Sequence, residues 1–338
     1  MKPVVGITMG DPAGIGPEII LKSLNDKDIF RICHPIVIGS FDILSRYHKN
    51  LEESNSIGKM NLAKVDSILQ LEEYKNLSYP NIIVYDDFKI DLSKISIGSI
   101  ASESGEASVL YLKKVVKLIK DGVINGTCSA PVNKEAINLA GYHYNGQTEF
   151  FKELTKSKIV IPLIIIDNIR LFQLTSHISM KEMLFSLSTN KILNFINFTN
   201  NSLKNIGIQK PKISIAGINP HAGENGLLGT EEKEIIEPAV SKAQNLGIDI
   251  HGPFPVDSLF IRVKNGEFDS VITIYHDQAT IAMKLLGTPV TMTLGLPFIR
   301  TSVGHGTAYD IAGKNIADES VFKKSLKICA ESINKIKG

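Results

Sequence analysis

Three histidines stand in three separate turn-rich motifs: His177 in Thr175-Ser176-His177-Ile178, His221 in Asn219-Pro220-His221-Ala222-Gly223-Glu224, and His276 in Tyr275-His276-Asp277-Gln278. Neutral imidazole is the commonest protein metal ligand. Three imidazoles leave one coordination position open for substrate, which is the pattern of a catalytic rather than a structural site. Each motif follows an apolar, β-branched run, at 161–166 and 171–174, at 213–218 and at 271–274. Strand ends of that kind are where α/β sheets bind ligands. Taken singly, each histidine reads more simply as a hydrogen-bonded loop residue, and none belongs to a local signature such as a helical His pair.

Other motifs carry polar or cationic groups. Gly10-Asp11-Pro12-Ala13-Gly14-Ile15-Gly16-Pro17-Glu18 follows the first apolar run and opens a helix. It reads either as an anion site at a helix N-terminus or as a tight turn without a ligand. It is neither a Walker A loop nor the dinucleotide fingerprint. Gln147 and Thr148 could hydrogen-bond an oxyanion, but Thr148 by itself reads as the cap of the helix that carries Phe150 and Phe151. Arg300, at the end of Leu294-Gly295-Leu296-Pro297-Phe298-Ile299-Arg300, suits bidentate binding of phosphate or carboxylate. Lys284, eight residues past His276, adds a second cation if the loops converge; the alternative for both Arg300 and Lys284 is a plain surface charge. The small-residue stretch from Gly304 to Lys314 would let a flat ligand lie against the backbone, or is a plain turn.

Composition narrows the field. The chain has 338 residues, 43% hydrophobic and 21% charged, enough for about two domains or lobes. With 37 basic and 35 acidic residues the net charge is +2, so no broad field favours nucleic acid or anionic membrane. The first residues are not expected to form a signal peptide. The greasiest run, 159–166, is far below the ~20 residues that span a bilayer. Cys33, Cys128 and Cys329 form no paired pattern, so a cytoplasmic protein without disulfides is expected.

Short apolar runs alternate with longer amphipathic stretches, the pattern of βαβ units on a mostly parallel sheet. Strands are expected at 4–9, 35–38, 82–85 and 127–130, with helices at about 17–24, 104–120, 189–206, 231–246 and 320–337. The polar stretch from Tyr47 to Tyr79 yields no pattern.

Taken together, the blocks 9–18, 131–149, 219–232, 252–260, 275–284 and 293–314 resemble the bacterial 4-hydroxythreonine-4-phosphate dehydrogenases of pyridoxal phosphate biosynthesis. The similarity runs from Val4 to about Ala317. The 14–18 and 305–313 stretches also look like the wider isocitrate and isopropylmalate dehydrogenase group. The resemblance implies an isopropylmalate dehydrogenase-like α/β fold of two α/β/α lobes, with the active site in the cleft between them. Residues 1–125 with 285–338 would form the cofactor-side lobe, and 126–284 the metal- and substrate-binding lobe.

The resemblance further implies NAD or NADP and a divalent metal (zinc, magnesium or cobalt) held by His177, His221 and His276, two from one subunit and the third from its partner in a homodimer with a shared active site. Gln147, Thr148, Lys284, Thr291 and Arg300 match substrate-contacting positions. Gly295, Leu296, His305, Thr307 and Ala308 fall at the cofactor. Asp257 lies near the metal and is the candidate base, and Lys284 is also placed among the catalytic groups. The implied reaction oxidises the C3 alcohol of 4-phosphohydroxy-L-threonine, with hydride passing to the nicotinamide. The 3-oxo acid then loses carbon dioxide to give 3-amino-2-oxopropyl phosphate. A paralogous oxidation of threonate or erythronate 4-phosphate is the alternative, and a non-catalytic metal- or phosphate-binding protein a more distant one. The family usually has His at Gln147, Asn at Thr291, Asp at Gly304 and Gly at Ala279. These changes fall on the substrate side and leave the three histidines intact.

Overall fold

The computed structural model describes residues 2–74, 77–144 and 146–337. Met1 and Gly338, the ends of the expected cofactor-side lobe, lie outside them, as do residues 75 and 76 of the stretch that yielded no pattern and Asn145 of the 131–149 block. The strands are β1 (Val4–Thr8), β2 (His34–Ile38), β3 (Asn61–Val65), β4 (Asn81–Tyr85), β5 (Gly126–Ser129) and β6 (Ile161–Ile166). They continue with β7 (Ile169–Gln173), β8 (Ile213–Ala216), β9 (Ile250–Phe254), β10 (Ser270–Thr273), β11 (Val290–Leu294) and β12 (Ile299–Val303).

The chain divides into two compact units, residues 1–161 with 290–338, and residues 162–289. In the first the strand order is β3-β4-β2-β1-β5-β12-β11. All pairs there are parallel except the β11–β12 hairpin. Val5, Ile7, Ile36, Val37 and Ile38 are wholly buried, which explains why these strands read as continuous apolar runs. In the second unit the order is β6-β7-β10-β8-β9. The β6–β7 pair is antiparallel and the others are parallel.

The boundaries differ from the expected 125/126 and 284/285. Strand β5 pairs in parallel with β1 on one side and β12 on the other, which keeps residues 126–161 in the first unit. The expected helix at 231–246 is a π turn, Glu232–Ile236, continued by an α-helix, Glu237–Asn245. The stretch without a pattern contains the end of a helix (Phe41–Glu53), β3 and a further helix (Ile68–Tyr74). Strand β3 is an edge strand buried at Val65 alone, so it carries almost no hydrophobic signal.

Candidate functional site

The first unit builds an anion anchor around Arg300. Arg300 is the second residue of β12 and only 2% exposed. Its Nη1 donates to Thr293 Oγ1 at 2.7 Å, across the antiparallel pair that joins the two residues, and to Thr148 Oγ1 at 3.4 Å. Its Nη2 donates to Gln147 Oε1 at 3.0 Å, and the guanidinium lies 5.1 Å from the Phe151 ring centroid. Among the described residues no carboxylate pairs with Arg300, and its buried Nε has no partner at all. Burial pushes the guanidinium pKa down to about 10. A guanidinium is a planar fork that can take an oxyanion through two N–H groups, and that of Arg300 has an Nε without a partner among the described residues. Thr291 alternates with Thr293 along β11 and so shares its face.

Thr148 is therefore not the helix cap. The helix Gln147–Thr155 starts after Gly146, with no side-chain cap, and Thr148 turns to Arg300 instead. Gln147 bridges two elements. Its Oε1 accepts from Arg300 while its Nε2 donates to Ala130 O at 3.0 Å, just past the end of β5. One acceptor and one donor reproduce what a neutral imidazole would offer, without a proton that could be gained near neutral pH.

The glycine-rich loop after β1 and the 304–313 loop pack on each other. Ile15 N donates to Thr307 O at 3.0 Å, and a Cβ on Gly14 would meet Thr307 Cβ at 2.9 Å. The amides of Asp11, Ala13, Gly14 and Ile15 are all satisfied within the protein, so the loop itself is a tight turn whose N–H groups are engaged. Asp11, unremarked in the sequence reading, is the centre of this contact. Its buried carboxylate accepts from Tyr309 OH at 2.6 Å, Ala13 N at 2.8 Å and Ser104 Oγ at 3.3 Å. Burial raises its pKa, against the pull of those three donors. Thr307 is buried in the same contact, His305 and Gly306 are exposed, and Ala308 takes a positive φ of 44°. Gly295 (φ 88°) and Leu296 lie in the β11–β12 turn. A Cβ on Gly295 would sit 2.0 Å from Ile159 O.

Tyr309→Phe should remove one donor from Asp11 and lower stability by about 1–3 kcal/mol. The sign with pH follows from the raised carboxyl pKa. The loss should be full at neutral pH, where an ionised Asp11 needs the donor, and shrink as pH falls through the folded-state pKa. Urea unfolding at neutral and mildly acid pH measures this, and an equal loss at both would refute it.

The second unit carries the histidines. His177 follows β7, and His276 opens the helix His276–Leu286 just after β10. Their rings lie edge to face, with centroids 5.6 Å apart. His276 Nδ1 sits 2.8 Å from Asp277 Oδ1, which holds the ring and leaves Nε2 free. With metal–nitrogen bonds of about 2.0–2.1 Å, two imidazoles on one ion have centroids roughly 5–6 Å apart, and the separation of this pair falls in that range. His221 lies exposed in its own loop, Nδ1 3.4 Å from Glu224 Oε2. Among the described residues of the single chain, no group of three or more His, Cys, Asp or Glu side chains is placed to hold a metal.

Asp257, in the first turn of the helix Val256–Lys264, lines a groove of about 410 Å³ with Phe260, Tyr275, Asp277 and Ile281. That places the candidate base beside the residues flanking His276. Lys284 is exposed, two turns along the helix from His276 and so about 12 Å further on, and does not join the pair within one chain.

A mixed α/β protein with a buried arginine that no described carboxylate pairs, and with two imidazoles side by side after two strands, has the groups of an enzyme acting on an anionic substrate. Comparison with known proteins names the family. The model described as pyridoxal phosphate biosynthetic protein PdxA matches residues 31–329, and the chain belongs to that family. It is a dehydrogenase, an oxidoreductase of the PdxA group. A relative from Oceanobacillus iheyensis, named "Putative D-threonate 4-phosphate dehydrogenase", is 40% identical over 328 residues, 96% of each chain. The 4-hydroxythreonine-4-phosphate dehydrogenase structure from Klebsiella pneumoniae is 35% identical with a TM-score of 0.87, over 98% of each chain. That from Burkholderia phymatum is 37% identical with a TM-score of 0.84, again over 98% of each. Among the described residues no helix is long and apolar enough to cross a membrane.

Proposed function

We propose that this chain oxidises the C3 alcohol of a four-carbon hydroxy acid 4-phosphate with NAD or NADP, and that D-threonate 4-phosphate is its substrate. The observation that carries the anionic part of this reading is the buried Arg300, which among the described residues has no carboxylate partner and no partner for its Nε. Arg300, Thr148 and Thr293 anchor an anionic group of the substrate, and Gln147 holds the guanidinium in place. The choice of threonate is supported by the name of the Oceanobacillus relative and by Gln147. The Gln147 amide is neutral, its oxygen engaged by Arg300 and its nitrogen by Ala130 O, so it offers little to a substrate ammonium group. 4-Phosphohydroxy-L-threonine, the substrate in the names of the solved relatives, is the second reading.

His177, His221 and His276 would hold a divalent cation, which when bound supplies a Lewis acid that lowers the pKa of the C3 hydroxyl. The hydroxyl proton goes to a carboxylate, for which Asp257 is placed on the groove beside His276. The C3 hydride passes to the nicotinamide, reducing it, and the 3-oxo acid left behind readily loses carbon dioxide. Gly295, Leu296, His305, Thr307 and Ala308 are assigned to the cofactor, on the paired loops of the first unit. Lys284 is assigned to substrate from a second copy of the chain. A homodimer with a shared active site completes the set of three imidazoles, and the second unit leaves Phe185, Leu227 and Leu285 about four-fifths exposed. The three free, buried cysteines fit the cytoplasm.

The experiment is NADH or NADPH formation with D-threonate 4-phosphate beside 4-phosphohydroxy-L-threonine, in zinc- or magnesium-supplemented protein. We expect kcat/KM at least tenfold higher for the threonate. The reverse preference would make the amino acid phosphate the substrate, and no turnover with either would sink the proposal.

A further inference from the structure

The loop that carries His221 has an unusual backbone. His221, Ala222, Gly223, Glu224 and Asn225 all have positive φ, at 52°, 53°, 77°, 42° and 58°. L-residues are disfavoured in this left-handed region, and only glycine, with asparagine to a lesser degree, enters it readily. His221, Ala222 and Glu224 are neither, so the turn persists only because something outside it over-determines its course.

That something is Glu232, which is 2% exposed and begins the π turn Glu232–Ile236. Its Oε1 accepts from Ile218 N and Asn219 N, both at 2.7 Å. Its Oε2 accepts from Asn219 Nδ2 at 2.9 Å, and a Cβ on Gly223 would lie 2.8 Å from that same oxygen. The carboxylate therefore grips the chain immediately before the left-handed turn and backs the turn at its middle. Glu231 Oε2 adds a second hold on Asn219 Nδ2 at 2.7 Å. A π turn inserts one extra residue into a helix, and such insertions concentrate at functional sites. Here the inserted turn opens on the residue that grips the loop.

We propose that Glu232 is a positioning residue for His221, holding through Asn219 the strained turn that aims the imidazole at a metal. The inference rests on the metal reading above. Glu232 never touches the imidazole itself; it sets the backbone from which both His221 and its neighbour Glu224 project.

The test is zinc affinity of the full-length protein, measured by competition with a chromophoric chelator, for the wild type, Glu232→Gln and Asn219→Ser. Glu232→Gln keeps one oxygen for the two backbone N–H groups, and Asn219→Ser leaves the glutamate intact, so both variants should fold and melt close to the wild type. Zinc binding should weaken by roughly ten- to a hundredfold in each, the effect typical of losing a group that orients a ligand. Wild-type zinc affinity in both folded variants would overturn the positioning role alone. Wild-type protein that binds no zinc would instead overturn the metal reading, and this inference with it.

Discussion

Replacing Arg300 by lysine is expected to lower kcat/KM for the phosphorylated substrate by about two to four orders of magnitude, most of it through KM. Lysine keeps the charge but presents its donors at a point and cannot reproduce the planar fork. Two charge-assisted hydrogen bonds at about 1.5–3 kcal/mol each are then lost or misaligned. At about 1.4 kcal/mol per decade this is the stated drop. A second readout needs no turnover. A buried guanidinium whose pKa is pulled down to about 10 is destabilising while charged and unpaired, and a bound oxyanion relieves that cost. Inorganic phosphate should therefore raise the melting temperature of the wild type, by the equivalent of about 2.7 kcal/mol at a hundred times its dissociation constant. The lysine variant should show little of this. Equal phosphate stabilisation in both proteins would remove Arg300 from the anion site.

His276→Ala is expected to abolish metal retention and cut turnover by three orders of magnitude or more, because a Lewis acid at the reacting oxygen supplies several kcal/mol. The fold should survive. The His276 side chain is nearly half exposed, and the contact that ties its turn to Gln173 runs through the backbone carbonyl. Metal content per chain, measured beside a thermal melt, separates loss of the site from loss of the fold. Asp277→Asn should act in the same direction but more weakly, since Asp277 holds the ring without being a ligand. A wild-type metal content in His276→Ala would refute the assignment.

Much of this molecule was legible in its sequence, and for a physical reason. Strands buried on both faces must be apolar throughout, so β1, β2 and β4 announce themselves within a residue of their ends. The turns that end such strands collect polar residues, which is why His177, His221 and His276 stood out from their flanks alone. Family membership followed from the same ordered motifs.

Tertiary structure decided what depends on partners remote in the chain. Arg300 reads from sequence as a surface or ligand cation. It is a buried, unpaired one only because Thr148 and Gln147, 152 and 153 residues earlier, close over it. Asp11 meets Tyr309 across 298 residues, which turns two separate small-residue loops into one packed layer. The division at 161/162 rather than 125/126 reflects the seat of β5 between β1 and β12, a pairing with no local signal. Glu232 looks like any helical surface glutamate until the π turn brings it beneath the His221 loop. Residue type and spacing determined which groups could do chemistry. Long-range pairing decided which of them meet, because hydrogen bonds between distant segments leave no periodicity in the sequence that forms them.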